Sequence, residues 1–417
     1  MDSFKIEGTR KLSGTIYVSG AKNAILPVMA ACLLAPGKSI LRNVPNLIDL
    51  KTMSHLLRVL GARIEHNGST MSIDAKDVCF IEAPYELVSK MRASIYVLGP
   101  LLARLKEARV SFPGGCAIGT RPVDLHLKAL EALGAEITIE HGYIHAKAQQ
   151  LKGADIYFEK SSVGATINTL MAAVFAKGTT RLLNAAMEPE VDSTIDLLNK
   201  MGAKISGQAT TTLTIEGVDD LFPVEMTMIP DRIEAGTFLI AGALSTDPVT
   251  VKNCLPEHLT SALDKLREAG CELETGEDFI TVAGPKIIKP FNLRTLPYPG
   301  FPTDLQAQFM VLAAFADGVS FIEDTIFPDR FMHVAELNRL QADIRLERNL
   351  ATVKGVKAFS GAEVMATDLR ASAALVLAGM VADGITTVSR IYHIDRGYDR
   401  IEEKLNSIGA KITRENG

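Results

Sequence analysis

Long hydrophobic runs are absent from this chain of 417 residues. The longest apolar stretches, such as Phe309 to Ala316 and Ala371 to Val381, are shorter than the roughly 18 to 20 residues that a membrane-spanning helix requires. The first ten residues mix charged and apolar side chains without an apolar core, which predicts no secretory signal. We therefore expect a cytoplasmic protein with no membrane insertion.

Cysteine is also scarce. The five thiols are odd in number and scattered along the chain, a pattern typical of reduced cytosolic proteins. Four of them occupy apolar or strand-like positions, which predicts burial: Cys32, Cys79, Cys254 and Cys271. Cys116 differs, because three glycines and two prolines surround it between Phe112 and Pro122. We predict a reachable thiol on a mobile loop; an incidental loop cysteine is the alternative interpretation.

Signatures of metal sites and nucleotide-phosphate loops are missing as well. The eight histidines form no His-Glu-x-x-His pattern, and His141 and His145 flank a predicted hairpin turn. Gly114-Gly115 belongs to no Walker loop, and no Gly-x-Gly-x-x-Gly follows a first strand. A net charge of −5 and a pI near 6.0 disfavour a nucleic-acid partner. We expect no metal and no cofactor.

A short pattern recurs through the chain at a spacing of roughly 70 residues. Each copy ends an amphipathic helix, where Gly supplies a left-handed C-terminal cap. The middle residues of the six copies are Gly61, Gly134, Gly202, Gly270, Gln341 and Gly409. Around each copy stand an apolar helix, a β-branched strand, the amphipathic helix and a further strand. With 47% hydrophobic and 22% charged residues, this pattern predicts a globular α/β protein of six repeats.

The chain divides after the third repeat, where the segment from Met228 to Arg232 contains a proline. The last repeat lacks one strand, which the N-terminal segment can supply. We therefore predict lobe one over residues 22–229 and lobe two over residues 1–21 plus 230–417. Each lobe holds three repeats, and short hinges with a cleft between the lobes are expected because no Ser-rich or Gly-rich linker separates them.

The apolar helix of each repeat begins beside a polar or cationic residue. These residues are Lys22, Arg92, Ser162, Arg232, Asp304 and Arg370. Any one of these residues, taken alone, is explained as the N-terminal cap of a buried helix. Six equivalent helix starts that converge would instead aim several dipoles and cations at one anionic ligand. The pattern therefore favours a small substrate with several negative charges.

Five longer motifs carry a resemblance to a known family. They are Gly20 to Ala24, Pro113 to Asp124, Tyr298 to Asp304, Met365 to Arg370 and Tyr392 to Tyr398. Together these motifs extend over the whole chain and resemble the UDP-N-acetylglucosamine enolpyruvyl transferases. The Cys116 loop separates them from the sister family, 5-enolpyruvylshikimate-3-phosphate synthase. The resemblance implies an α/β fold, called α+β in some schemes, with two lobes that form an inside-out α/β barrel.

The resemblance also implies a reaction. The enolpyruvyl group of phosphoenolpyruvate is transferred to the 3'-hydroxyl of UDP-N-acetylglucosamine and phosphate is released, as the first committed step of peptidoglycan synthesis. Addition and then elimination require an acid at the methylene carbon and a base at the hydroxyl. The family's motifs assign the acid, which can also add covalently to phosphoenolpyruvate, to Cys116. They assign the base, or hydroxyl-orienting group, to Asp304, with Lys22 and Arg396 as further catalytic residues.

The substrate ligands follow from the same resemblance. Arginine forks and lysine charges suit the carboxylate and phosphate of phosphoenolpyruvate. Its implied ligands are Lys22, Asn23, Arg121, Arg370 and Arg396. The implied ligands of UDP-N-acetylglucosamine are Asn23, Arg92, Arg121, Pro122, Val123, Asp124, Leu125, Lys160, Ser162, Val163, Gly164, Asp304 and Ile326.

One segment departs from the family pattern. Where the family usually has Phe-Glu-Asn-Arg-Phe, this chain has Phe327-Pro328-Asp329-Arg330-Phe331, so the Glu and a backbone donor are lost. Any ion pair of that Glu is therefore in doubt, although Arg330 is kept. Two alternatives to the implied function stay open. One is transfer to another acceptor such as shikimate phosphate, and the other is an inactive paralogue that binds the UDP-sugar and regulates wall synthesis.

Overall fold

The computed structural model describes residues 2–112 and 123–415. Contacts within the described residues separate two compact units. The first unit comprises residues 20–112 and 123–229, and the second comprises residues 2–19 and 230–415. Each unit has its own hydrophobic core.

Two N-terminal strands belong to the second unit: β1 (Ser3–Glu7) and β2 (Gly14–Tyr17). The strands of the first unit are β3 (Lys38–Arg42), β4 (Arg63–Asn67), β5 (Thr70–Asp74), β6 (Glu82–Ala83), β7 (Glu107–Ser111), β8 (Glu136–Glu140), β9 (Tyr143–Lys147), β10 (Asp155–Tyr157), β11 (Thr179–Leu183), β12 (Lys204–Ser206), β13 (Thr212–Glu216) and β14 (Glu225–Thr227). Its α-helices are α1 (Lys22–Ala31), α2 (Ile48–Val59), α3 (Tyr85–Val88), α4 (Leu98–Leu105), α5 (Asp124–Ala132), α6 (Val163–Ala173) and α7 (Pro189–Lys200). Its 3-10 turns are Cys32–Leu34 and Arg92–Val97.

The remaining strands of the second unit are β15 (Val249–Lys252), β16 (Glu272–Thr275), β17 (Phe279–Ala283), β18 (Leu293–Arg294), β19 (Val319–Glu323), β20 (Asp343–Glu347), β21 (Leu350–Lys354), β22 (Phe359–Ser360), β23 (Glu363–Met365), β24 (Ala382–Asp383), β25 (Ile385–Ser389) and β26 (Lys411–Glu415). Its α-helices are α8 (Arg232–Ala243), α9 (Thr260–Glu268), α10 (Gln306–Ala313), α11 (His333–Arg339), α12 (Leu369–Val381) and α13 (Ile401–Asn406). Its 3-10 turns are Pro256–Leu259, Thr303–Leu305 and Ile391–His393.

Six four-stranded sheets of the described residues share one strand order. They are β14-β3-β5-β4, β6-β7-β9-β8 and β10-β11-β13-β12 in the first unit, and β2-β15-β17-β16, β18-β19-β21-β20 and β23-β25-β1-β26 in the second. In each, the first pair is parallel and the other two pairs are antiparallel. A short additional pair joins β22 and β24. The last sheet is completed by β1, whose Ile6 pairs with Ile412 of β26.

The burial of each element follows its sequence pattern. Leu213 and Ile215 alternate with polar neighbours along β13, so one face of that strand is buried. The apolar helix α12 is buried on all sides from Arg370 to Val381. This burial places the polar start of α12 inside the second unit.

The helix ends at the recurring pattern have left-handed backbones. Their φ values are 105° at Gly61, 92° at Gly134, 110° at Gly202, 96° at Gly270, 70° at Gln341 and 104° at Gly409. Glycine adopts this region freely, whereas a residue with a Cβ is strained there by roughly 1 to 2 kcal/mol. Gln341 therefore keeps the turn at an energetic cost.

Several sequence expectations need correction. Cys79 is exposed, whereas Cys32, Cys254 and Cys271 are buried as predicted. The segment after Arg92 starts as a 3-10 turn, because Pro100 lacks an N–H and is accommodated in the first turn of α4.

Among residues 2–112 and 123–415, no helix has both the length and the apolar character needed to cross a bilayer.

Candidate active site

Most of the predicted site residues lie in the described part of the chain. Cys116, Arg121 and Pro122 lie outside the described residues. The first unit holds Lys22, Asn23, Arg92, Val123, Asp124, Leu125, Lys160, Ser162, Val163 and Gly164. The second unit holds Asp304, Ile326, Arg370 and Arg396.

Lys22 forms an ion pair that the sequence did not predict. It begins α1, and its Nζ lies 2.8 Å from Oδ2 of Asp49 in the first turn of α2. Both side chains are largely buried. The only sequence signal for Asp49 was an acidic residue at a helix start, which capping and the helix dipole already explain. Asp49 fixes the ammonium group of Lys22 in position.

The start of α6 offers polar groups for an anion. Ser162 is the N-cap, and its Oγ accepts a hydrogen bond of 3.3 Å from the Ala165 N–H. Val163 and Gly164 are the first two helical residues, where backbone N–H groups have no partner inside a helix. Lys160 is exposed just before them. This arrangement is suited to binding a phosphate group.

The start of α5 has mixed exposure. Val123 is its buried N-cap, Asp124 is exposed and Leu125 is half-buried. Arg92 is also half-buried, and it is one of the charges around Tyr96. Burial raises the pKa of Tyr96, as does Glu190, while Arg92 opposes the shift. Tyr96 is therefore a neutral phenol at neutral pH.

In the second unit, the Asp304 carboxylate lies between two guanidinium groups. Arg330 Nη1 donates to Oδ1 at 2.6 Å, and Arg370 Nη2 donates to Oδ2 at 3.0 Å. Both arginines are almost completely buried. Asp304 occupies the 3-10 turn before α10, and Arg370 is the second residue of α12. Asp368, and not Arg370, caps α12 by accepting hydrogen bonds from the backbone.

The electrostatics of this cluster keep Asp304 and Arg370 charged. Burial alone would raise the pKa of Asp304, but Arg370 and Arg330 outweigh it and hold the pKa well below its ordinary value. Burial opposes the charge of Arg370, but Asp304, Tyr398 and Asp231 together outweigh it and raise the Arg370 pKa. Asp304 is therefore a carboxylate that accepts hydrogen bonds and binds a proton weakly.

Arg330 has a partner despite the sequence departure at Pro328. Its Nη1 also donates to Thr303 Oγ1 at 3.1 Å. Thr303 in turn donates to Oδ2 of the buried Asp324 at 2.7 Å. Oδ1 of Asp324 accepts from the Ile326 backbone N–H at 3.0 Å, which orients the Ile326 segment. Sequence reasoning missed Asp324 because the family motifs assign a role to Ile326, two residues later, but none to Asp324 itself.

Arg370 is supported by a buried aromatic residue. Its guanidinium carbon lies 5.5 Å from the centre of the Tyr398 ring. The Tyr398 hydroxyl is 2.9 Å from Thr237 Oγ1 and 3.3 Å from Gln308 Nε2. Nη1 of Arg370 is buried and has no hydrogen-bond partner within the described residues. It is therefore a donor available to an anionic ligand.

Arg396 lies in the turn that follows the 3-10 segment Ile391–His393. Burial lowers the pKa of His393, and Arg396 lowers it further. Within the described ranges, no cluster of His, Cys, Asp and Glu could hold a metal ion.

Comparison with known proteins decides the family. A family model described as EPSP synthase (3-phosphoshikimate 1-carboxyvinyltransferase) matches residues 6–405. The chain belongs to this enolpyruvyl transferase family. This match, together with the relatives described next, confirms the resemblance found in the sequence motifs.

Two relatives are similar over their full length. A UDP-N-acetylglucosamine 1-carboxyvinyltransferase from Desulfosudis oleivorans is 56% identical over 414 residues, which cover 99% of both chains. A protein of the same name from Chloroherpeton thalassium is 55% identical over 418 residues, covering 100% of this chain and 97% of the relative.

Solved enolpyruvyl transferase structures share the fold of mixed sheets and helices. The enolpyruvyl transferase NikO from Streptomyces tendae matches with a TM-score of 0.90 at 26% identity, covering 100% of this chain and 99% of its own. EPSP synthase from Acinetobacter baumannii matches with a TM-score of 0.79 at 18% identity over 100% of both chains, which shows the fold alone.

Proposed function

We propose that this enolpyruvyl transferase moves the enolpyruvyl group of phosphoenolpyruvate to the 3'-hydroxyl of UDP-N-acetylglucosamine and releases phosphate. The observation that carries the proposal is full-length similarity to UDP-N-acetylglucosamine 1-carboxyvinyltransferases at 53 to 56% identity. The reaction is the first committed step of peptidoglycan synthesis. The cytoplasmic location expected from the sequence is part of the same proposal.

The proposed mechanism is addition followed by elimination. Cys116 protonates the methylene carbon of phosphoenolpyruvate, which makes the neighbouring carbon electrophilic. The sugar oxygen attacks that carbon and loses its proton, giving a tetrahedral adduct. A proton then leaves the new methyl group as the carbon–oxygen bond to phosphate breaks, so the enol ether and inorganic phosphate are formed.

The charges of the described residues fit an anionic substrate. Arg370 carries a buried N–H that no described residue accepts, and this supports its proposed role as a carboxylate ligand. Lys22 supplies an ammonium group held by Asp49, for the phosphate. The other proposed ligands of phosphoenolpyruvate are Asn23, Arg121 and Arg396.

Asp304 is proposed to orient the sugar hydroxyl. Because two guanidinium groups hold its pKa low, the ionised carboxylate accepts the hydroxyl hydrogen but binds a full proton weakly. This favours the orienting role over a role as a strong general base. The remaining proposed ligands of the sugar nucleotide are Asn23, Arg92, Arg121, Pro122, Val123, Asp124, Leu125, Lys160, Ser162, Val163, Gly164 and Ile326.

The finer architecture belongs to this proposal as well. The shared strand order of six sheets and the recurring left-handed helix ends support six copies of one repeat, three in each unit. We propose that each set of three repeats forms the inside-out α/β arrangement implied by the family.

Phosphate release tests the function. We expect release only when phosphoenolpyruvate and UDP-N-acetylglucosamine are both present. Release that proceeds equally well with shikimate 3-phosphate would favour the sister activity. Binding of the UDP-sugar without any release would instead identify an inactive paralogue.

A further inference from the structure

His126 is a buried residue to which the family resemblance gives no role. It is the third residue of α5, and only 5% of its surface is exposed. It follows Leu125 directly, the last residue of the proposed sugar-nucleotide segment.

The hydrogen bonds around Asn168 determine which nitrogen of His126 carries the proton. The backbone N–H of Gly99 can only donate, so the Asn168 atom 2.7 Å from it is the acceptor Oδ1. Asn168 Nδ2 therefore donates to the Ile95 carbonyl at 3.1 Å and faces His126 Nδ1 at 3.1 Å. Because Nδ2 has no acceptor capacity, Nδ1 must accept. The imidazole proton consequently resides on Nε2.

The imidazole is neutral in the folded protein. Burial lowers the pKa of His126 to about 4, and the Arg92 guanidinium lowers it while Asp124 acts in the opposite direction. The hydrogen bonds formed within residues 2–112 and 123–415 give Nε2 no partner. His126 thus presents one N–H donor that is fixed in orientation and that no described residue accepts.

This donor lies against the start of α6. A Cβ added to Gly164 would be only 3.0 Å from His126 Nε2 and 3.1 Å from its Cε1. Gly164 is the second residue of α6, an eleven-residue helix whose N-cap is Ser162. The helix N-terminus favours anions, and the His126 N–H, which has no acceptor among the described residues, is an independent donor at the same place. Both features point to a phosphate oxygen as the missing acceptor.

We propose that His126 is a further ligand of the sugar-nucleotide diphosphate and donates its Nε2–H to a phosphate oxygen at the start of α6. Asn168 is the positioning residue, since it acts through His126 by fixing the tautomer. This inference rests on the proposed function, because the UDP-sugar supplies the diphosphate.

Two variants separate this role from a structural one. In His126→Gln the longer amide places an N–H near the original Nε2 but leaves the Nδ1 position empty. In His126→Asn the amide oxygen replaces Nδ1 as partner of Asn168, but no donor reaches the start of α6. We expect His126→Gln to bind UDP-N-acetylglucosamine within a few-fold of the unmutated protein and His126→Asn to bind it about ten- to a hundredfold more weakly. A structural role predicts the reverse order, which would overturn the inference.

Calorimetric titration supplies the affinities, with thermal melting to show that each variant is folded. Uridine, which has no phosphate, is the control ligand and should bind all three proteins equally. Loss of uridine affinity in parallel with the UDP-sugar would assign His126 to general packing and overturn the proposal.

The unmutated protein gives a test that does not depend on variant folding. Nitrogen-15 NMR of histidine-labelled protein should show the Nε2–H tautomer for His126, assigned by its loss in His126→Gln or from residue-specific labelling. The resonance should shift with UDP but not with uridine. An Nδ1–H tautomer, or no shift with UDP, would contradict the proposal. Phosphate release by the same sample tests the proposed function separately, so failure of one can be told from failure of the other.

Discussion

Arg330 donates to the Asp304 carboxylate across 2.6 Å, although the family glutamate nearby is replaced by Pro328. The contact is largely buried. Arg330 and Arg370 together hold the Asp304 carboxylate in its ionised form, and the proposed reaction needs this hydrogen-bond acceptor.

Replacement of Asp304 by Asn should greatly reduce turnover. The amide keeps the shape but is neutral and accepts the hydrogen bond of the sugar hydroxyl more weakly, and loss of orientation at a reacting group can cost about a hundredfold in rate. We expect UDP-N-acetylglucosamine affinity to be largely kept. Steady-state kinetics and calorimetry measure the two effects. Asp264→Asn, which alters an exposed carboxylate paired with Arg267, is the control and should be nearly wild type. A turnover within a few-fold of wild type for Asp304→Asn would remove Asp304 from the mechanism.

The low pKa of Asp304 also predicts how stability depends on pH. A carboxyl whose folded pKa is depressed stabilises the protein above its unfolded pKa, which is about 3.9, and loses that contribution as pH falls toward the folded value. The difference in unfolding free energy between wild type and Asp304→Asn should therefore be smaller at about pH 3 than at about pH 5.5. Denaturant titrations at both pH values measure it. A difference that is the same at both pH values, or larger at the lower one, would show that the pKa is not depressed.

Asp49→Asn should impair the function of Lys22. Removal of one partner from a buried ion pair leaves an uncompensated charge and typically costs about 3 to 5 kcal/mol of stability. Because the ammonium is no longer held, the KM for phosphoenolpyruvate should rise more than that for the sugar nucleotide. Asp77→Asn breaks an exposed ion pair with Arg63 and provides the control. Equal changes in both KM values would show that Asp49 does not act through Lys22.

Gln341→Gly should stabilise the protein. The left-handed backbone at Gln341 is strained for a side chain with a Cβ, and glycine relieves this strain while gaining some entropy in the unfolded state. The net gain should be about 0.5 to 1 kcal/mol. The matched control, Gly134→Gln, introduces the same backbone strain at the corresponding position of another repeat, where an added Cβ meets no described atom within 4 Å, and should destabilise. Thermal melting measures both, and a destabilised Gln341→Gly would contradict the explanation.

Variants of Cys116 should show whether the acid strength or the size of this side chain determines activity. A free thiol has a pKa of about 8.5, and cations beside it lower that value, whereas a serine hydroxyl is far too weak an acid. We expect Cys116→Ser to be nearly inactive. Cys116→Asp should remain active with a more acidic pH optimum and should resist thiol-directed epoxides. An active Ser variant, or a folded but inactive Asp variant, would show that Cys116 is not the proton donor.

Local pattern predicted much of the secondary structure but not the contacts that assemble the site. Alternation of apolar and polar residues indicates a strand over Thr212 to Glu216, which is the range of β13. Glycine at a helix end predicted the left-handed turn at Gly202, because that preference is local. The pattern could not predict that Gln341 adopts the same backbone, since the surrounding fold overrides its preference.

Local patterns could not predict the contacts between side chains that are far apart in the sequence. Asp304 and Arg370 are 66 residues apart, and His126 and Asn168 are 42 apart. The motifs identified Asp304 and Arg370 as site residues but gave no distance between them. His126 and Asn168 carried no signal at all, because a buried histidine on an amphipathic helix is ordinarily part of the core.

The choice of acceptor tests the central claim most directly. The protein is incubated with phosphoenolpyruvate and an equimolar mixture of UDP-N-acetylglucosamine and shikimate 3-phosphate, and the products are identified by mass. We predict that only the UDP-sugar gains an enolpyruvyl group, with one phosphate released for each product. Enolpyruvyl transfer to shikimate 3-phosphate, or no transfer to either acceptor by the folded protein, would contradict the proposed function.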